Sequence, residues 1–148
     1  MAKSVRKDTW ILTDTSKRVW VDSIDLKAAD LGIRGPAGVG IRKYTLHGGL
    51  SDGVDVIEVN NGALSLTILP TRGMGVLEGS YNGNRLGWNS PVKDPVHPKF
   101  VHLADRGGLG WLEGYNEVIV RCGLESNGAP GTDMVPNNNG VPSPIALG

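Results

Sequence analysis

The chain has 148 residues, and its 15 Lys plus Arg are balanced by 15 Asp plus Glu, for a formal net charge of zero. With no basic excess it offers no electrostatic footprint for nucleic acid or an anionic membrane. No apolar run approaches the roughly 20 residues of a membrane span, and the basic N-terminus, MAKSVRKDTW, lacks the apolar stretch of a secretory leader.

In chain order, residues 1–40 read as a polar arm and loop. The arm carries two short strands at 10–13 and 18–21. A brief helix is expected at 26–31, with Asp25 as its N-cap and Gly32 just past its end. From residue 41 the hydrophobic period changes to two, and 41–125 reads as a series of β-hairpins. Residues 54–59 lead into Asn60-Asn61-Gly62, a turn signal because Asn and Gly tolerate positive φ. The return strand, 63–69, puts Leu64, Leu66 and Ile68 on one face and Ser65 and Thr67 on the other, and Pro70 ends it. A second hairpin is expected over 74–81 and 85–88, turning at Asn82-Gly83-Asn84. Residues 89–116 carry loop chemistry.

Residues 117–125 read as another strand, with Val118, Val120, Cys122 and Leu124 on the apolar face and Glu117, Arg121 and Glu125 opposite. Residues 126–148 have no apolar period and read as a loop. The 22 glycines and 9 prolines punctuate short segments throughout, the signature of many short strands joined by tight turns. The single cysteine, Cys122, excludes an intramolecular disulfide and fits a reducing, cytoplasmic setting.

The usual catalytic motifs are missing: no His and Cys at zinc spacing, no phosphate loop, no nucleophile elbow. The glycine clusters at 73–75 and 107–110 do not sit between a buried strand and a long helix, so they are not dinucleotide loops. Arg72, in PTRGMG, is either a solvated turn arginine or a fork of donors aimed into a pocket. Residues 88–100, WNSPVKDPVHPKF, gather Trp88, Asn89, His97 and Lys99 among prolines. That mixture of an aromatic face and hydroxyl-binding groups suits a carbohydrate pocket, and equally a stiff surface loop. The row Glu117, Arg121 and Glu125 fits either a water-facing surface or the lining of a groove. The tryptophans Trp10, Trp20, Trp88 and Trp111 read as core or hairpin anchors, with Trp111 the one to test for ligand stacking.

Taken together, LSLTILPTRGMG, LGWNSPV, PVHPKFV and GGLGWLEGYNEVIVRCGLESNGAPG resemble an aldose 1-epimerase-like family of bacterial proteins. The similarity runs over residues 10–148. The resemblance implies a mainly β fold, the N-terminal part of a galactose mutarotase-like antiparallel β-supersandwich, and makes 1–148 a single incomplete domain. It also implies acid–base interconversion of sugar anomers by a histidine acid and a glutamate base, both expected beyond residue 148, with no metal and no cofactor. Substrate contacts carried over by the motifs are Arg72, His97, Lys99, Glu125 and Asn127, followed by Asn89 and Arg121. The implied partner is a monosaccharide or sugar derivative, with self-association through exposed strand edges. The alternatives are a carbohydrate-binding module without turnover, or a lyase or isomerase acting on an oxidised sugar.

Overall fold

The computed structural model describes residues 9–120 and 131–147. A short hairpin opens it, β1 (Thr13–Asp14) and β2 (Val19–Trp20), with Thr13 opposite Trp20. The strand expected at 18–21 is therefore present in shortened form, while the one expected at 10–13 is displaced and overlaps β1 only at Thr13. Asp14 accepts hydrogen bonds from the Ser16 hydroxyl and the Lys17 N–H and so shapes the turn between them.

Six strands follow as an antiparallel meander: β3 (Ile24–Lys27), β4 (Gly40–Thr45), β5 (Asp55–Asn60), β6 (Leu64–Leu69), β7 (Gly75–Tyr81) and β8 (Asn84–Leu86). Each pairs with its neighbour in sequence, so the expected β-hairpins are observed. The β5–β6 turn is held by Asn61, whose Oδ1 accepts the N–H groups of Ala63 and Leu64, with Gly62 at φ 98°. Between Tyr81 and Asn84, Asn82 and Gly83 both have positive φ, the conformation a two-residue hairpin turn requires.

The helix expected at 26–31 is not formed. Ile24-Asp25-Leu26-Lys27 alternates with period two, and Leu26 and Lys27 pair with Ile41 and Gly40. The absence of a Cβ on Gly40 lets the Leu26 carbonyl lie against it. Only a turn over 28–32 remains, closed by Ile33 N–H to the Ala28 carbonyl and by Gly32 at φ 64°. Among the described residues the one segment assigned as α-helix is instead α1 (Asp105–Gly108), and even this is broken by positive φ at Arg106 and Gly107.

Two further expectations are corrected. Residues 126–148 are not all loop: β9 (Gly131–Pro136) and β10 (Pro142–Leu147) form a two-stranded hairpin. Its turn is built by Asn137, which accepts the N–H groups of Asn139 and Val141, and by Gly140 at φ 76°. The strand expected at 117–125 appears among the described residues only as a bridge between Ile119 and Val76. Burial also departs from the expected faces: Glu117 is buried, while Val118, Ile119 and Val120 are all exposed.

The sheet has two unlike faces. Register puts Ile24, Ile41, Ile57, Val59, Leu66 and Ile68 on one side, all half-buried. The other side carries Arg42, Glu58, Thr67, Glu78 and Arg85, and at one end it holds the tightest core: Val54, Val56 and Leu69, packed by Tyr44, Leu46 and Leu77. A bulge in β7 helps build that core. Thr67 faces Glu78 and Ile68 faces Val76, which leaves Leu77 as an extra residue. Such a bulge re-aims a side chain, and Leu77 packs with the core beside Glu78.

Candidate functional site

Arg72 ends a single 3-10 turn, Pro70–Arg72, that Pro70 starts and Gly73 closes at φ 65°. Its guanidinium is neither solvated nor free. Nε and Nη2 donate to the two carboxylate oxygens of Glu117 at 2.8 and 3.1 Å, and Nη1 donates to the Val96 carbonyl at 2.9 Å. The Glu117 side chain is 1% exposed and that of Arg72 14%. Two glycines make room for this clamp: a Cβ on Gly114 would sit 2.6 Å from Arg72 Nη1, and one on Gly75 would sit 3.1 Å from Glu117 Cγ. Two guanidinium N–H groups remain after these bonds.

By holding Val96, Arg72 fixes the start of the segment that carries His97. The His97 N–H donates to the Leu50 carbonyl at 2.7 Å, and the Ser51 hydroxyl donates to the Pro95 carbonyl at 2.6 Å. His97 Nδ1 accepts the Lys99 N–H at 3.1 Å, so the neutral ring carries its proton on Nε2. Gly53, at φ 87°, lets the ring approach the backbone; a Cβ there would lie 3.3 Å from His97 Cδ2.

His97 lines an open cleft of about 710 Å³ at the end of the sheet, together with His47, Asp22, Asp55, Thr71 and Trp20. Asp55 is held by the Thr45 hydroxyl at 2.6 Å and by Lys43 at 3.3 Å. The cleft thus offers two imidazoles, hydroxyls and carboxylates beside an exposed indole, a lining that can bind hydroxyls and stack on a sugar ring. A second, smaller cleft of about 170 Å³ is lined by Asn89 among other polar groups. Lys99 lines neither and pairs at 3.7 Å with Asp52, both exposed. Arg121, Glu125 and Asn127 lie outside the described residues, as does Cys122. Among the described residues no three His, Cys, Asp or Glu side chains gather to hold a metal ion.

The tryptophans are not core. Trp10, Trp20, Trp88 and Trp111 are all 39% exposed or more. Trp88 and Trp111 instead each pack against Tyr115, with centroids 5.4 and 5.3 Å away, and Trp88 Nε1 donates to the Glu117 carbonyl at 3.1 Å. Residue-by-residue reading missed His47, Asn116 and the partner of Arg72. The His47-Gly48-Gly49 turn, with φ of 90° and 56° at its glycines, is the one local signal that could have flagged His47.

On the polar face, Tyr44 donates to Glu58 at 2.8 Å beneath the Arg42 guanidinium. Burial first, then the Glu58 hydrogen bond and charge, push the phenol above the ordinary tyrosine range. A raised value means this contribution to stability is complete below about pH 10 and is lost as pH rises through the Tyr44 value. Phenolate absorbance titration is expected to show a late-ionising component that Tyr44→Phe removes. An unchanged titration would contradict the burial.

Residues 51–140 match the model of a family described as a domain of unknown function, DUF4432. The chain belongs to that family. It is also similar to a crystal structure from Klebsiella pneumoniae subsp. pneumoniae, described as a "putative aldose 1-epimerase", at 36% identity and a TM-score of 0.69. The match covers 76% of this chain and 29% of the Klebsiella chain, so the sequence spans under a third of that protein. No curated protein matches the chain. The fold is therefore mainly β, antiparallel and galactose mutarotase-like. No described helix is long and apolar enough to cross a membrane.

Proposed function

We propose that this chain supplies a carbohydrate-binding wall of an aldose 1-epimerase-like, cytoplasmic protein, whose whole form interconverts sugar anomers by acid–base catalysis. The observation that carries this reading is the 36% identity to the Klebsiella protein at a TM-score of 0.69. The cleft lined by His97 and His47 supports it chemically. The Nε2–H of His97 is a hydrogen-bond donor in a cleft also lined by Thr71 and Trp20, groups suited to a pyranose. Mutarotation requires an acid and a base on opposite sides of the anomeric centre; neither is assigned within residues 1–148, and His97 is given a binding role.

The test is polarimetry of freshly dissolved α-D-glucose and α-D-galactose with the full-length protein. It is expected to accelerate mutarotation well above the buffer blank. His97→Ala is expected to raise KM about fivefold, the worth of one neutral hydrogen bond of about 1 kcal/mol, with little change in kcat. Saturable sugar binding without acceleration would instead identify a binding module, and neither binding nor acceleration would overturn the proposal.

A further inference from the structure

The three consecutive residues that lead into the histidine cleft are each tied through the backbone. The Pro95 carbonyl accepts from the Ser51 hydroxyl, the Val96 carbonyl accepts from Arg72 Nη1, and the His97 N–H donates to the Leu50 carbonyl. Leu50 and Ser51 belong to one 3-10 turn, Gly49–Ser51, on which Leu50 is exposed. Arg72 belongs to another, Pro70–Arg72, which follows directly on Leu69 of the tightest core. Of these tethers, the arginine is the one that runs from the packed sheet.

The same turn reaches the cleft by a second route. Thr71, next to Arg72, lines the cleft, and its hydroxyl accepts the Asp55 N–H at 2.9 Å. Neighbouring residues therefore do different things: Thr71 contributes to one wall, and Arg72 holds the segment that carries His97 in another. Neither Arg72 nor Glu117 lines the cleft itself. Glu117 fixes the guanidinium by accepting from both Nε and Nη2.

Stability alone does not account for such a pair. Two charges are costly to take out of water, and well-packed apolar residues of similar volume commonly serve a fold as well or better. An apolar pair, however, has nothing to donate to the Val96 carbonyl.

We propose that Arg72 and Glu117 are positioning residues, which hold His97 in register with Thr71 and make no contact of their own with the ligand. Arg72 acts through the Val96 carbonyl, and Glu117 acts through Arg72. This role rests on the sugar-binding reading of the histidine cleft.

The test uses the full-length protein carrying Arg72→Met together with Glu117→Leu, which removes the tether without stranding a charge. With α-D-galactose as probe, KM is expected to rise about fivefold and kcat to change little, as for His97→Ala. A change that merely lowered the folded fraction would lower the apparent kcat and leave KM alone. In a His97→Ala background the paired substitution is expected to raise KM by less than about twofold further, because residues that act through one another are not additive. Hydrogen exchange gives a readout that needs no sugar. The His97 amide is expected to exchange at least about tenfold faster in the paired variant, with the β5–β6 amides unchanged. A full further rise of about fivefold in the His97→Ala background would show that the arginine reaches the sugar itself, and would overturn the proposal. An unchanged KM, or a His97 amide as protected as before, would overturn it too. A protein that binds no sugar overturns the proposed function instead, and exchange then decides by itself whether the clamp sets His97.

Discussion

Arg72→Met is expected to destabilise the fold by about 3–5 kcal/mol, the usual cost of stranding one member of a buried ion pair. Against a total stability of about 5–15 kcal/mol, a loss of that size leaves a marginal protein. Burial makes this pair costly to break. Glu117 is 1% exposed, and its carboxylate is satisfied by the arginine and, at 3.2 Å, by the Asn116 N–H. The arginine also ties the 72, 96 and 117 segments together, so its loss loosens the loop over the core. The exposed pairs Arg85–Glu78 and Arg106–Glu113 set the contrast; breaking either is worth about 0–1 kcal/mol. Urea unfolding of Arg72→Met beside Arg85→Met reads the difference. Adding Glu117→Leu to Arg72→Met is expected to recover much of the loss, because no stranded charge remains. A midpoint for Arg72→Met equal to that of Arg85→Met would show that the clamp contributes no more than a surface pair.

Lys43→Met is the second large effect, also about 3–5 kcal/mol. Lys43 sits between isoleucines on the apolar face, opposite Ile24 and Ile57, with its side chain 1% exposed. Its ammonium meets Asp55 at 3.3 Å and donates to the Val21 carbonyl at 2.7 Å, with the Trp20 ring centroid 5.7 Å away. Methionine fills similar space but leaves Asp55 with the Thr45 hydroxyl and no cation, and drops the bond that pins the N-terminal hairpin to the sheet. The distinguishing readout is local. Proteolysis near residues 20–23 is expected to speed up at denaturant concentrations where the sheet is still intact. If the arm stays protected and the midpoint is unchanged, the pairing does not hold it.

Much of the sheet was legible in the sequence because its signals are local. The alternation of Leu64, Leu66 and Ile68 with Ser65 and Thr67 fixes which way β6 faces, and Asn82-Gly83 can hardly do anything but turn. The misreadings share a cause. Glu117 read as either a water-facing or a groove-lining charge because the partner that buries it lies 45 residues earlier. Residues 26–31 looked helical because a cap-like Asp25 and a terminal Gly32 outweighed a four-residue alternation that only pairing with β4 makes decisive. The β9–β10 hairpin was hidden by prolines. Pro136 and Pro142 face each other at its turn end, and Pro144 sits in a strand paired on one side only, where a missing donor is tolerated. At the clefts, the loop chemistry of Asn89 and His97 was visible, whereas nothing local signals the burial of Asn116, whose amide has no partner among the described residues.

The bulge at Leu77 has one more consequence, for how this sheet tolerates changes in length. In a regular strand, losing one residue inverts every side chain beyond it, because the pleat alternates. At position 77 the extra residue already absorbs that offset, with Val76 opposite Ile68 and Glu78 opposite Thr67. Removing it would leave both of those pairs and the Tyr81–Asn84 turn in phase. An evolving chain could shorten here at the cost of one apolar contact, while the same deletion two residues further on would turn Ser80 and Tyr81 inside out.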